Sequence, residues 1–114
     1  MDNKKDDKYY INKVIENINS IITYTKELTY KELLNRQIVI DATMFRLVQL
    51  VENINHISKE YKLLHSNIEW GNIIGFRNGR VHDYGKTDYN IVYEIVSRDI
   101  YELKKELEKE LKSV

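Results

Sequence analysis

The chain has 114 residues, 42% of them hydrophobic, which is the size of one ordinary domain with a modest core. Its 18 basic side chains are balanced by 18 acidic ones, so no broad positive field attracts nucleic acid and any such contact has to be local. The absence of cysteine removes disulfides, thiolate catalysis and cysteine-ligated zinc; the three histidines, His56, His65 and His82, are too scattered for a metal cage, so neither metal nor cofactor is expected.

The opening MDNKKDDKYY lacks the apolar centre of a signal peptide, and no window offers the run of about 18 apolar residues that a membrane span needs. A cytoplasmic protein without membrane contact is the expectation. Residues 1–7 read as a charged, loose tail. From Tyr9 to Leu28 the positions Tyr10, Ile11, Val14, Ile15, Ile18, Ile21 and Ile22 recur at steps of three and four and line one face of an amphipathic helix. Thr29 with Glu32 has the form of a capping box and starts a short turn that Asn35 ends.

A long helix is predicted from Arg36 to Leu64. Its first half, IVIDATMFRLVQLV, is apolar around most of its circumference, so it is either central or a surface where two copies meet. His56 and His65, nine residues apart on that helix, point about 180° from each other and read as separate surface or interface residues. Trp70, among Ile68, Ile73 and Ile74, reads as a core anchor at the start of a short helix interrupted near Gly79. The last helix runs from Thr87 to Leu111, N-capped by Thr87 or Asp88. It has Ile91, Val92, Ile95, Ile100, Leu103, Leu107 and Leu111 on one side, and ELKKELEKELK forms a solvated face. With no proline, and four glycines all between residues 71 and 85, the whole is one all-α domain, a bundle of four to five helices over residues 1–114.

Between those helices lies FRNGRVHDYGKTD, which gathers Arg77, Arg80, His82 and Tyr84. The plain reading is a polar helix end with solvated arginines and Gly85 as the left-handed cap. Helical phase separates the alternatives. At about 100° per residue, Arg77 and Tyr84 share a face, whereas Arg77 and His82 point about 140° apart. Convergence therefore requires unwinding near Gly79 or Gly85, or a second copy of the segment across a two-fold axis.

The spacing Arg77, four residues, His82, one residue, Tyr84 resembles the signature of the HEPN superfamily, and within it the HepT-like toxins of toxin–antitoxin pairs. Asn78 is the polar residue that the superfamily favours after the arginine, and IEWGNIIGFRNGRVHDYGKTDYNIVYEIV is similar to the HepT stretch in which a tryptophan precedes the signature and a helix-starting aspartate follows it. Upstream, DATMFRLVQLVEN resembles the long HepT helix, although Val51, Glu52 and Asn53 stand where that family usually has Gly-Glu-Ala, which leaves Glu52 without an assigned role.

The resemblance implies a HEPN-like, up-and-down, homodimeric bundle and a metal-independent endoribonuclease acting on RNA at a dimer cleft. In that reading His82 exchanges a proton at the ribose 2′-hydroxyl, Arg77 holds the scissile phosphate, and Asn78 and Arg80 support them. It also implies a partner, an MntA-like minimal nucleotidyltransferase antitoxin that adds AMP to Tyr84 and thereby fills the phosphate site. Two other readings stand beside it. One is a non-catalytic HEPN-like subunit that docks a nucleotidyltransferase or a nucleotide, in keeping with the neutral charge; the other is a helical dimer without chemistry, in which Tyr84 only packs over the loop.

Overall fold

The computed structural model describes residues 6–71 and 89–112, and every regular element among them is helical. Helix α1 spans Asp7–Thr25, α2 Tyr30–Leu34, α3 Gln37–His56 and α4 Lys59–Leu64. After residue 88, α5 (Tyr89–Glu94) runs through a π-helical turn (Ile95–Asp99) into α6 (Ile100–Lys112) without a break. Counting that C-terminal rod once, the described residues hold five helices, and the all-α expectation holds.

Helix α1 starts two residues before Tyr9. Asp6 takes the N-cap, its carboxylate accepting the Tyr9 N–H at 3.0 Å, so residues 6 and 7 belong to ordered structure and not to the expected tail. At the other end the chain leaves α1 at Thr25, short of Leu28, because Glu27 adopts a left-handed backbone with φ 67°. The predicted apolar face is the buried one: Ile11, Val14, Ile18 and Ile21 are inside, and Tyr10, Ile15 and Ile22 pack around them. The capping box forms as read, with the Glu32 N–H donating to Thr29 Oγ1 at 3.1 Å and the Thr29 N–H donating to Glu32 Oε1 at 2.9 Å.

The predicted helix from Arg36 to Leu64 is in fact two helices, broken at Ile57 and Ser58. The cause is local side-chain chemistry. Ser58 Oγ accepts the Tyr61 N–H at 3.1 Å and so caps α4. The Asp7 carboxylate then holds Ser58 from outside, accepting its N–H at 2.8 Å and its hydroxyl at 2.7 Å. Once the Ser58 N–H is taken by a carboxylate, it cannot continue the α3 ladder.

Helix α3 packs chiefly against α1, and its inner face buries Ile40, Thr43, Leu47, Leu50, Val51 and Ile54. The helix is apolar on its outside as well. Ile38 (84% exposed), Phe45 (57%) and Val48 (39%) form an exposed apolar stripe on the opposite side. The IVI run is therefore helical, and its excess of apolar residues is divided between a core face and an outward face. Between α1 and α3 lies one polar seam, in which Arg46 Nη1 donates to Asn17 Oδ1 at 3.3 Å while Asn17 Nδ2 donates back to the Lys13 carbonyl at 2.9 Å.

The C-terminal rod closes the core with Val92, Ile95, Val96, Ile100, Leu103 and Leu107. Its π-helical turn departs from the regular helix expected there. The Ser97 hydroxyl donates to the Tyr93 carbonyl four residues back, and such back-bonding competes with the backbone ladder and widens the turn. No helix of the described residues is long and apolar enough to cross a membrane.

Candidate functional site

The signature residues Arg77, Asn78, Arg80, His82 and Tyr84 lie outside the described residues, as do Gly79, Gly85 and the expected N-caps Thr87 and Asp88. What the structure defines is the pair of anchors between which the signature is strung. Both are built into the hydrophobic core.

On the entry side, α4 ends at Leu64 with His65 as its C-cap, and a turn of four residues leads on to Trp70. The Ile68 N–H donates to the His65 carbonyl at 3.1 Å and the Trp70 N–H to the Ile68 carbonyl at 2.9 Å. Trp70 is 9% exposed, its ring meets Tyr61 edge to face at 6.3 Å, and its indole Nε1–H donates to the His65 carbonyl at 3.3 Å. A buried indole finds a partner for its one donor when it is part of the frame. Trp70 is thus the core anchor that the sequence suggested, with Ile68 buried beside it.

On the exit side, α5 seats Val92 in the core and packs Tyr89 and Ile91 against it. Tyr93 reaches across to the segment before α2, its hydroxyl donating to the Leu28 carbonyl at 3.2 Å and its ring contacting Tyr30 edge to face at 5.5 Å.

The surroundings of the entry anchor are acidic. Among the described residues, a cavity of about 340 Å³ between the turn and the C-terminal rod is lined by Glu69, Asp99, Glu102, Glu106 and Lys105, with Arg98 paired to Asp99 at 3.2 Å. The excess of carboxylates makes this lining unfavourable for a phosphodiester. Nor is ELKKELEKELK merely a solvated face: Asn67 Nδ2 donates to Glu106 Oε2 at 3.0 Å, and His65 Nε2 lies 2.9 Å from Glu110 Oε2. His65, read from sequence as a surface or interface residue, has a side chain only 22% exposed that is engaged through both ring nitrogens within the chain. His56 is exposed and stacks on Tyr10 at 4.9 Å, separate from His65.

Burial, and then the carboxylates of Glu110 and Asp7, push the Tyr61 phenol above its ordinary range, so it stays a neutral packing group. Lys62 next to it is pushed down by burial, against the opposing pull of Asp7. Among the described residues no three metal-ligating side chains gather. Glu52 is half-buried on α3, and Val51, where the resemblance led one to look for glycine, is a fully buried core residue.

Comparison with known proteins points one way. The family model described as "Ribonuclease HepT-like" matches residues 14–110, a span that contains both anchors and the signature. The chain is similar to "Putative RNase MJ1380" of Methanocaldococcus jannaschii, 30% identical over 105 residues that cover 92% of this chain and 96% of that protein. It is also similar to "Probable ribonuclease HepT" of Thermococcus cleftensis, 28% identical over 110 residues that cover 93% of this chain and 96% of the other. No solved structure matches with comparable significance.

Proposed function

This chain belongs to the HepT-like ribonuclease family of the HEPN superfamily, and on that premise we propose that it is a metal-independent endoribonuclease, the toxin of a toxin–antitoxin pair, whose site forms between two copies. The observation that carries the reading is the intact spacing Arg77, His82, Tyr84 inside the matched span. The exposed stripe Ile38, Phe45 and Val48 supports a second copy, because pairing would cover apolar surface that the core does not use. Helical phase supports it independently, since Arg77 and His82 of one regular helix point about 140° apart.

The proposed chemistry is a transesterification. The His82 imidazole takes the proton of a ribose 2′-hydroxyl as that oxygen attacks phosphorus. The bond from phosphorus to the 5′ oxygen breaks, and an imidazolium, the His82 of the other copy, returns a proton to the leaving oxygen. Products are a 2′,3′-cyclic phosphate and a free 5′-hydroxyl. Arg77 stabilises the charge that builds on the phosphoryl oxygens, a task suited to its permanent charge and forked donors. Asn78 orients, and Arg80 adds positive charge for the RNA backbone. AMP added to Tyr84 by a nucleotidyltransferase antitoxin sets a phosphate beside Arg77 and Arg80 and silences the site by occupying it.

A second reading, a non-catalytic subunit that docks the nucleotidyltransferase, is favoured by the net charge of zero and by the acidic cavity at the entry anchor. Purified wild type, Arg77→Ala and His82→Ala, incubated with RNA and EDTA, separate the two. The nuclease reading expects cyclic-phosphate ends from wild type alone. Cleavage that survives either substitution, or that needs an added metal, sinks it. Mass spectrometry of Tyr84 after coexpression with the antitoxin tests the modification: an added AMP is expected, and an unmodified tyrosine in a silenced toxin refutes that step.

A further inference from the structure

The turn that leads into the signature is tied down by one imidazole. His65 Nδ1 lies 2.9 Å from the Tyr61 carbonyl, and its Nε2 lies 2.9 Å from Glu110 Oε2 on α6. The ring stacks on Tyr61 at 4.0 Å, and the His65 carbonyl accepts from the Ile68 N–H and from the Trp70 indole. The pair is sheltered, His65 being 22% and Glu110 20% exposed. Two nitrogens therefore face two oxygens. A neutral imidazole carries one N–H and one lone pair, so it satisfies one of these contacts and sets a lone pair against an oxygen at the other. Only the doubly protonated ring donates to both.

We propose that His65 and Glu110 form a proton-operated clamp that positions the entry to the signature: engaged while the imidazole holds both protons, and loosened when it gives one up. Among the described residues, Glu110 faces it from α6, with Glu106 one turn earlier accepting from Asn67; α4 contributes Tyr61, with Lys62 next in sequence, and the Asp7 carboxylate of α1 acts on both of these; Glu69 lies on the turn itself. The sign follows from the donor count. The clamp is complete while both ring nitrogens carry protons, and loss of one proton, which higher pH favours, makes one nitrogen leave its oxygen. Because the Trp70 indole donates to the His65 carbonyl, release loosens the indole. The consequence for RNA cleavage rests on the nuclease reading; the clamp itself does not.

Trp70 is the sole tryptophan of the chain, so its emission reports this place alone. Acrylamide quenching of Trp70 in the full-length protein, followed from about pH 5 to about pH 8 where imidazoles titrate, is expected to rise with pH in wild type. That dependence is expected to be lost in both His65→Gln and Glu110→Gln and kept in His56→Gln. Quenching that stays flat in wild type, or that keeps its pH dependence in His65→Gln, overturns the clamp. Should His65→Gln fail to fold, Glu110→Gln decides, since it preserves shape and removes only the charge: a wild-type titration there overturns the proposal. RNA cleavage measured in parallel keeps the readings apart. A titrating Trp70 in a protein that never cuts RNA removes the nuclease and leaves the clamp, whereas cleavage with a silent Trp70 removes the clamp alone.

Discussion

Shortening Phe45 to alanine is the sharpest probe of the shared cleft. The side chain is 57% exposed, against 84% for Ile38 and 39% for Val48. Full burial of a large apolar side chain is favourable by about 1.5 to 3 kcal/mol, so covering the exposed part of Phe45 contributes about 1 to 1.5 kcal/mol. In a two-fold dimer it counts twice, about 2 to 3 kcal/mol, with Ile38 and Val48 bringing the stripe to roughly 6 to 9 kcal/mol gross. Association costs of about 4 kcal/mol or more oppose this, leaving little to spare. Phe45→Ala should therefore weaken dimerisation by roughly 30- to 150-fold. The Arg46 guanidinium, 5.8 Å from the ring, loses its aromatic neighbour as well. Sedimentation velocity over a dilution series gives the dissociation constant. Thermal melting at a concentration where both proteins are monomeric should differ little, because an exposed residue supports the monomer weakly. Cleavage should fall in step with the dimer fraction. A Phe45→Ala protein that dimerises as wild type refutes the assignment of this face, and one that is monomeric yet fully active refutes the two-copy site.

Three further outcomes are expected. Asp7→Ala removes both contacts to Ser58; with those groups exposed to water the cost is about 1 kcal/mol, or roughly 3 to 6 °C in Tm, and a melting curve identical to wild type shows that the α3–α4 break does not need Asp7. The Glu32 carboxyl is held below its ordinary range, first by the Thr29 backbone N–H, then by the Thr29 hydroxyl and by Arg36. A carboxyl lowered on folding contributes stability that is present above its unfolded value and is lost as pH falls through its folded one, so Tm should fall more steeply below about pH 5 in wild type than in Glu32→Gln; superimposable acid limbs refute this. Finally, if Arg77 and Arg80 are the main phosphate contacts, two to four charges engage single-stranded RNA in one or two copies. The slope of log K against log salt is then about −1.4 to −2.8, and a slope steeper than about −5 means that lysines elsewhere take part.

Where a short stretch of sequence contains all the groups of an interaction, the reading was accurate. The Thr29 and Glu32 capping box needs four residues and forms as read, and the α1 face needs only its own repeat. Trp70 was legible as an anchor because an indole among isoleucines has few other uses. The failures are long-range. The break at Ser58 depends on a carboxylate 51 positions away, and a serine in an otherwise periodic run gives no hint that Asp7 will hold its N–H. The intrachain role of His65 is hidden for the same reason: its sequence reading is surface or interface, since Glu110 lies 45 residues further on, in a run that reads as solvated lysines and glutamates. The π-helical turn was hidden differently: Ser97 is an ordinary helix residue until its hydroxyl takes the Tyr93 carbonyl.

The charge distribution then fixes what the signature must do by itself. The chain is neutral, and among the described residues the cavity at the entry turn is lined by four carboxylates and Lys105, with Arg98 paired to Asp99, so this part of the scaffold offers a phosphodiester little attraction. On the proposed reading, attraction comes chiefly from Arg77, Arg80 and their counterparts in a second copy. A site of that kind gains cations on pairing, so activity should depend on the α3 stripe more steeply than on any single surface charge. The same economy explains why one modification would suffice to silence it. With two arginines in the proposed site, an AMP phosphate placed beside Arg77 and Arg80 would neutralise a large share of the charge that holds RNA there, whereas on a broadly basic nuclease the same group would remove one contact among many.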